Sequence, residues 1–576
     1  MGKIVRVNMS DLKIRIEETP KEYFGLGGRG LTSLIVSKEI PATCHPLGSK
    51  NKLVIAPGSL TGTTAPNSGR FSIGFKSPLT GGIKESNAGG TAGFKLGRLG
   101  IDAIVIEGGK SPGCYILYIS NEGGKLFSDI KYQGMKNYEL VKNLQSKFGE
   151  KVGILSIGPV GEMKLSTATI ASTDTSGYPC RHAARGGPGA VMGSKGLKAI
   201  VIDDAGTHGV SVLDPKKFRE GAKKYMKAVQ ESPFTGKGLK VFGTNVLVNP
   251  INAAGAFPTL NFREGTFREA DKICGEYMHE IITKRGGNPS HAGCTTCIIQ
   301  CSNVYLDEIG NYITSSLEYE TIWANGANLG ISDLDSIARV DRLCDEYGID
   351  TMEIGVAIGV VMEAGIKSFG DSQGALELID EVGKGTYIGR IIGNGSWVTG
   401  KVFGIERVPA VKRQAMAAYD PRAIHGMGVT YATSTMGADH TAGLMVATNL
   451  SSFGGKLDPH KAEGQVDTCQ QIQIQTAALD CTGLCIFVRG PIFNTPDGSQ
   501  GFLEMMSARY GIPFTLDDVF ALGKKVLKIE RDYNFAAGMT KADDRLPDFF
   551  KEEKVPPHNV NFTVSNDDLD RLFQFD

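Results

Sequence analysis

Three cysteines stand close together in Cys294-Thr-Thr-Cys297-Ile-Ile-Gln-Cys301. Thiolates at this x2 and x3 spacing turn to one side of the chain and converge on a common centre, with a fourth ligand supplied from elsewhere. Zinc is one reading, although structural zinc sites more often pair two C-x2-C or Cys/His knuckles. The radical S-adenosylmethionine pattern runs in the reverse order, C-x3-C-x2-C. An iron–sulfur cluster with a distant fourth cysteine fits best. Two further fragments share one design, Asp345-Glu-Tyr-Gly348-Ile349-Asp350 and Asp480-Cys-Thr-Gly483-Leu484-Cys485. Each is D-x-x-G, an apolar residue and then Asp or Cys, placed where a helix exits on glycine. One such pattern is an ordinary helix end; two, one of them ending in Cys485 as a candidate fourth ligand, suggest a shared task.

Two glycine-rich stretches imitate nucleotide sites. Gly25-Leu-Gly-Gly-Arg-Gly30 satisfies G-x-G-x-x-G and leads into a helix, but the residues before it, Glu17-Glu-Thr-Pro-Lys-Glu22, are polar and contain proline where a dinucleotide fold needs a strand. It reads as a turn into a helix. In Gly186-Gly-Pro-Gly-Ala-Val-Met-Gly-Ser-Lys195, Ser194 separates glycine from lysine, so no Walker A loop results. Such a loop can still offer backbone N–H groups to another phosphate-bearing ligand.

The elements that must carry these residues follow from composition and spacing. The 576 residues exceed one ordinary domain. Lys plus Arg and Asp plus Glu both number 62, a balance that argues against a nucleic-acid or anionic-membrane partner. There is no run of 18 apolar residues to span a membrane. The first residues, Met1-Gly-Lys-Ile-Val-Arg-Val-Asn8, read as a strand without a leader, and the 11 cysteines are odd in number and irregular, so a cytoplasmic setting with metal or redox work for the clustered ones is expected. The 75 glycines are nearly twice the average share of about 7% and imply many tight turns and close backbone approaches.

Short β-branched runs such as Lys52-Leu-Val-Ile-Ala56, Phe71-Ser-Ile-Gly-Phe75, Ala103-Ile-Val-Ile-Glu107, Cys114-Tyr-Ile-Leu-Tyr-Ile119 and Ala199-Ile-Val-Ile202 predict strands, interrupted by helices over 31–40 and 137–148. A β-rich unit over 1–204 is expected, ended by the polar stretch Asp203-Asp-Ala-Gly-Thr-His-Gly209. Beyond it the apolar spacing is helical: positions 334, 337, 340, 343 and 344 share one helix face, Gly348 ends that helix, and Asp350-Thr-Met-Glu353 predicts a capping box opening the next, through Met362. The fold class is α+β, an N-terminal two-sheet platform followed by two mainly helical units, 205–408 and 409–576. No internal repeat or low-complexity tract is evident.

With these motifs in order, the chain resembles the aldehyde:ferredoxin oxidoreductase family, tungsten enzymes that carry a bis-pyranopterin. The resemblance runs almost end to end. It rests also on Pro57-Gly-Ser-Leu-Thr-Gly-Thr63, Lys76-Ser-Pro-Leu-Thr-Gly81, Arg185-Gly-Gly-Pro-Gly-Ala-Val-Met-Gly-Ser-Lys195, Glu318-Tyr-Glu-Thr-Ile-Trp323, Ala327-Asn-Leu-Gly330 and Ala418-Tyr-Asp-Pro-Arg422.

The resemblance implies roles. Arg70 matches a position touching a pterin, Asn87, Ala88 and Gly89 a loop beside the pterin phosphates, and Arg181, His182, Ala183, Arg185 and Gly186 a second such loop. A Mg2+ ion would join the phosphates through backbone carbonyls at Asn87 and His182. Asp345, Gly348, Ile349 and Asp350 would grip one pterin, and Asp480, Gly483 and Leu484 the other. Cys294, Cys297, Cys301 and Cys485 would hold one [4Fe–4S] cluster. Glu320 and His440 match positions near the metal, as base for an attacking water and as orienter of the aldehyde oxygen or proton relay. Without the family, an exposed helix face and a structural histidine are the favoured readings of these two. The implied reaction oxidises an aldehyde to its acid and passes electrons to ferredoxin or a small iron–sulfur subunit; tungsten and molybdenum are both compatible. The chain would work as a homodimer or in a hetero-oligomer. An aromatic acyl-CoA reductase subunit of the same family is the nearer alternative, and a zinc-binding, non-catalytic scaffold the more distant one. One departure stands out: the E-x-x-H pattern that holds a subunit-bridging iron in some members reads Arg339-Val-Asp-Arg342 here, so that iron is not expected.

Overall fold

The computed structural model describes residues 2–575. The β-branched runs form two six-stranded sheets. The first holds β1 (Lys3–Asn8), β2 (Lys13–Glu18), β3 (Leu53–Pro57), β4 (Phe71–Lys76), β5 (Ile83–Ala88) and β6 (Ile101–Glu107), in the order β2-β1-β6-β3-β4-β5. The second holds β7 (Tyr115–Ser120), β8 (Gly123–Ser128), β9 (Gly153–Ser156), β10 (Ile170–Ser172), β11 (Arg181–Ala183) and β12 (Leu197–Ile202), in the order β8-β7-β12-β9-β10-β11. Adding six to each strand of the first order gives the second. In each sheet the first strand pairs its successor antiparallel and the last strand parallel, with a register shift near the start of the parallel pair.

The platform is therefore an internal repeat, contrary to the expectation of none. A trace survives in the sequence: Gly100-Ile-Asp-Ala-Ile-Val-Ile106 and Gly196-Leu-Lys-Ala-Ile-Val-Ile202 align as G-x-x-A-I-V-I on the equivalent strands β6 and β12. Elsewhere the halves share only the alternation that any buried strand needs, so topology outlasts sequence. The two inner faces pack as one core, Val5, Ile55, Ile73 and Ile104 from one sheet against Leu117, Leu155, Ile170 and Ile200 from the other. The edge strands β5 and β11, equivalent in the two halves, meet where the sheets adjoin.

The polar run before the Gly25 motif is also partly a strand, since Lys13–Glu18 forms the edge of the first sheet. An edge strand has one row of backbone groups open to water, which is why it tolerates such polarity. The helix Gly28–Glu39 follows, entered through Gly25 at φ 77° and Gly28 at φ 45°.

From residue 215 onward the chain is mainly helical, with a three-stranded sheet over residues 288–315 and a two-residue hairpin at 410–415. The helix Leu334–Tyr347 ends on Gly348 in the left-handed region, as expected. Asp350 caps the next helix, Thr351–Glu363, through the Met352 and Glu353 N–H groups. The capping box is not completed. Glu353 turns away and is buried, accepting from Ser396 N–H and O–H and from Ala415 N–H at 2.7–2.9 Å. One continuous core joins residues from Leu247 to Leu572, around Trp323, whose indole N–H donates to Pro258 C=O at 2.8 Å. No helix is long and apolar enough to cross a membrane among the described residues.

Candidate active site

The two D-x-x-G turns are stitched to opposite halves of the platform. Gly348 C=O accepts from Thr169 N–H, and Asp350 N–H donates to Thr167 C=O, both at 2.9 Å, on the second half. On the first half, Ser59 and Leu60 N–H donate to Cys481 and Thr482 C=O at 3.0 and 2.9 Å, Arg70 N–H to Gly483 C=O at 3.1 Å, and Cys485 N–H to Asn67 C=O at 2.9 Å. Glycine makes the contacts possible. A Cβ on Gly158 would lie 2.2 Å from Tyr347 C=O, one on Gly58 2.0 Å from Gly483 N, and one on Gly28 2.1 Å from Asp480 C=O. The G-x-G-x-x-G stretch thus has a packing role against the second turn, where Arg29 also reaches Asp480 at 3.2 Å and Glu530 at 2.8 Å.

The expected phosphate-loop residues lie together at the β5/β11 junction. Arg70 donates to the Asn87 amide oxygen, and Gly89 backs directly onto Cys294, whose Sγ would be 2.3 Å from an added Cβ. On the other side His182 lies 2.8 Å from Asp345, and Tyr138 O–H donates to the same carboxylate at 3.2 Å. Arg181 meets Glu318 at 3.2 Å, while Arg185 donates to Ala438 and Ala415 C=O at 2.9 and 2.6 Å. Ala183 pairs with Ile170 on β10, Ala88 closes β5, Gly186 at φ 89° passes against the Lys84 stem, and Ile349 and Leu484 are buried apolar members of their turns.

Glu320 does not lie on an exposed helix face. It occupies the first turn of the helix Tyr319–Asn325 and points inward, accepting from Ala418 N–H at 3.0 Å. His440 opens the short turn His440–Gly443, capped by Asp439. Its Nε2 is 3.3 Å from Glu320 Oε1, yet that oxygen and His440 Nδ1 are both buried without a hydrogen-bond partner among the described residues. Burial pushes the Glu320 carboxyl up, and the imidazole of His440 opposes the shift. Behind His440, Asp439 takes an ion pair from the fully buried Lys84 at 3.1 Å. Burial alone would raise the Asp439 carboxyl, but Lys84 and Arg185 outweigh it and hold it well below the usual range. Lys84, Asp439 and Glu353 were not found from sequence. Adjacency to His440 was the one signal available for Asp439, and nothing local marks Lys84.

The four cysteines lie within mutual electrostatic reach and are all partly exposed. Thr296 and Gln300 adopt φ 62° and 58°, turning the Cys294–Cys301 loop, and Gln300 N–H points at Cys297 Sγ at 3.2 Å. Asn67 N–H donates to Thr296 C=O at 2.9 Å while its own C=O holds Cys485, so one residue joins the loop to the distant fourth cysteine. Among the described residues no three His, Cys, Asp or Glu side chains close on a point that would hold a single metal ion.

The cradle contains unsatisfied polar groups that a phosphate-bearing cofactor would pair. Arg181 Nε and Ser172 Oγ are buried without hydrogen-bond partners among the described residues, as are the two atoms of Glu320 and His440, whereas Arg185 Nε and Asp350 Oδ2, also without hydrogen bonds, face each other at 3.5 Å as an ion pair. Buried polar groups are nearly always paired, so the unpaired atoms at this junction are ones that a bound group would partner. Two cationic guanidinium groups for phosphate and carboxylates for ring N–H groups match a pterin phosphate chemically. At Arg339 and Arg342 no comparable set exists: Arg342 lies 3.6 Å over the Tyr138 ring and donates to Glu346 at 2.9 Å, a cation where a metal ligand would be needed.

Comparison with known proteins gives a consistent picture. The family model described as aldehyde ferredoxin oxidoreductase, N-terminal domain, matches residues 4–204, and that described as aldehyde ferredoxin oxidoreductase, domains 2 and 3, matches residues 220–574. The tungsten-containing aldehyde ferredoxin oxidoreductase of Pyrococcus horikoshii is 37% identical over 96% of this chain and 92% of its own. The aliphatic sulfonate oxidoreductase, WOR-like subunit, of Pyrococcus furiosus is 25% identical over 98% and 91%. Among solved structures, a chain of the active-site complex BamBC of benzoyl-coenzyme A reductase, in complex with 1,5-dienoyl-CoA, superposes with a TM-score of 0.79 at 18% identity, covering 95% of this chain and 90% of that one. That likeness is one of fold.

Proposed function

The chain belongs to the aldehyde ferredoxin oxidoreductase family, and from that premise we propose that it oxidises aldehydes to carboxylic acids and delivers the electrons through one [4Fe–4S] cluster to ferredoxin or a small iron–sulfur subunit. It is an oxidoreductase of a tungsten-containing family, which sets aside the zinc-binding scaffold.

When bound, the tungsten bis-pyranopterin would supply a two-electron acceptor and the cluster a one-electron carrier. Asp345 and Asp480 with their glycine turns would hold the two pterins, Arg70, Arg181 and Arg185 their phosphates, and the backbone carbonyls of Asn87 and His182 the Mg2+ ion. Cys294, Cys297, Cys301 and Cys485 would ligate the cluster. The overall change, RCHO + H2O to RCOO− with two electrons and three protons, asks the protein to place a water and take its proton. Glu320 takes the proton from water as the O–C bond forms, and His440 donates its N–H to the aldehyde oxygen. Tyr419, its ring centroid 6.0 Å from that of His440, and the buried Tyr319 wall the site and exclude bulk water.

One observation carries the reading: Glu320 and His440, more than a hundred positions apart, face each other at 3.3 Å with a buried unpaired atom on each, as a pair waiting to share a substrate or water would. The experiment is metal analysis of anaerobically purified protein beside an aldehyde-driven viologen-reduction assay. About one tungsten and four irons per chain with dye reduction is the expected result. Tungsten and iron without aldehyde activity would favour an acyl-CoA reductase role, and zinc alone would overturn the proposal.

A further inference from the structure

The glycine-rich stretch over 25–30 carries one charged residue into the interior. Arg29, 2% exposed, stands in the first turn of the helix Gly28–Glu39. Its glycine neighbours have no room for side chains: a Cβ on Gly27 would lie 2.9 Å from Cys481 C=O, and one on Gly30 2.8 Å from Cys481 Sγ. Bare backbone lets the start of this helix press on the turn that follows Asp480, and that closeness brings the guanidinium to the Asp480 carboxylate. Arg29 Nη1 donates to Asp480 Oδ2 at 3.2 Å, the one side-chain hydrogen bond that Asp480 receives among the described residues.

The rest of the guanidinium is held from the far end of the chain. Its Nε and Nη2 donate to the two oxygens of Glu530, at 2.9 and 2.8 Å, on the helix Leu516–Ala536. Each Glu530 oxygen takes a second donor, Ser33 O–H at 2.8 Å on one and Thr435 O–H at 2.6 Å on the other, and the residue is fully buried. A planar guanidinium clamped by two parallel bonds cannot turn, so the N–H that meets Asp480 has a fixed direction. Asp345, on the other half of the platform, has no arginine partner among the described residues; His182 at 2.8 Å and Tyr138 at 3.2 Å engage it instead. Stability alone does not call for such a hub. Apolar side chains of like volume often replace a buried ion pair at no cost, yet here one guanidinium sits between two carboxylates with Glu85 a third within electrostatic reach.

We propose that Arg29, clamped by Glu530, is a positioning residue that holds the Asp480 carboxylate in one orientation for its pterin. The inference rests on the pterin-gripping role of Asp480 proposed above and adds two residues that act through that carboxylate. With one oxygen tied to Arg29, the other is left to ring N–H groups in a single rotamer, so the ordering is complete before the cofactor binds. The glycine-rich stretch then has a task of its own, to bring a buried cation against the second D-x-x-G turn.

The test compares Arg29→Lys, Arg29→Met/Glu530→Leu and Asp480→Ala with the parent, all as anaerobically purified holoenzyme. Lysine keeps a charge for Glu530 but lacks the planar fork that spans both carboxylates, and the Met/Leu pair removes both charges at similar volume. Tungsten, pterin and iron per chain, the W(V) paramagnetic resonance signal and thermal unfolding are read. In Arg29→Lys and in the Met/Leu pair, unfolding and iron content should match the parent. Tungsten retained after prolonged dialysis should fall about tenfold in both, the factor carried by one hydrogen bond to a charged group, with an altered W(V) signal in the remainder. Parent-like tungsten content and signal in either variant overturns the positioning role; a loss of tungsten in Asp480→Ala in the same series then shows that the pterin role of Asp480 stands without it. Parent-like tungsten in Asp480→Ala overturns both. Equal loss of iron and tungsten in Arg29→Lys assigns the pair to the fold and overturns the positioning role as well.

Discussion

Glu320 illustrates how little a residue's neighbours in sequence say about its chemistry. Its helix begins only one residue earlier, and the carboxylate is drawn inward by the Ala418 N–H across the core. Glu320→Gln keeps that hydrogen bond's acceptor but cannot take a proton, so turnover is expected to fall by about 10²–10⁴ with tungsten and iron contents unchanged. Undiminished turnover would exclude the base role. Burial raises the carboxyl above 4.5. A base works deprotonated, so kcat/KM should drop as pH falls through the raised value, with an acid limb above the ordinary carboxylate range. A limb at or below about 4.3 in the pH profile would show that Glu320 is not the titrating base. Lys84 carries a stability prediction. Lys84→Met removes the ion-pair partner of the half-buried Asp439 and leaves it Arg185 as the remaining cation, so the loss is expected to fall below the about 3–5 kcal/mol of a fully buried pair, read by chemical denaturation. Because the Asp439 carboxyl is held low, the stabilisation from that pair is present above the unfolded value near ~3.9 and fades as pH falls towards the folded one.

At the scale of elements, turns carry much of the site. Each D-x-x-G stretch ends one helix and is pinned to a platform loop by backbone hydrogen bonds, so its geometry is set by the platform as much as by its own helix. The cluster loop is shaped by two non-glycine residues in the left-handed region and by the bare face of Gly89. Cys485→Ser is expected to lose most of the iron, measured per chain, and Gly89→Ala to lose part of it, because the new methyl occupies space 2.3 Å from Cys294 Sγ. Unchanged iron in Cys485→Ser would remove that residue from the ligand set.

For the whole molecule, the repeated six-stranded sheets give each D-x-x-G turn its own half to rest on, with the equivalent edge strands β5 and β11 meeting between them. An arrangement with two similar halves suits a cofactor with two similar pterins. Asp345→Ala and Asp480→Ala, on opposite halves, are both expected to reduce pterin and tungsten content, and a loss confined to one would mean that only that half grips a pterin. The two sites are not identical. Asp480 is half-buried, and desolvation with the nearby Glu85 raises it to about 7 despite Arg29, whereas Asp345 is engaged by His182 and Tyr138.

The sequence by itself determined the class of fold, the positions of six of the twelve platform strands and of the helix Leu334–Tyr347, and the cysteine and D-x-x-G motifs, because these depend on local periodicity and on residues a few positions apart. Family resemblance added Glu320 and His440, for which local pattern allowed blander explanations. Only the tertiary structure decided that Glu353 leaves its capping box to meet Ser396 and Ala415, that Lys84 supports Asp439, that Asn67 ties Cys485 to the other cysteines, and that the platform is a duplicated half. The duplication lies in strand order, which outlasts sequence, and the other three share one physical reason. Buried polar groups take whatever partner folding brings within 3 Å, and that partner's place in the chain leaves no local pattern.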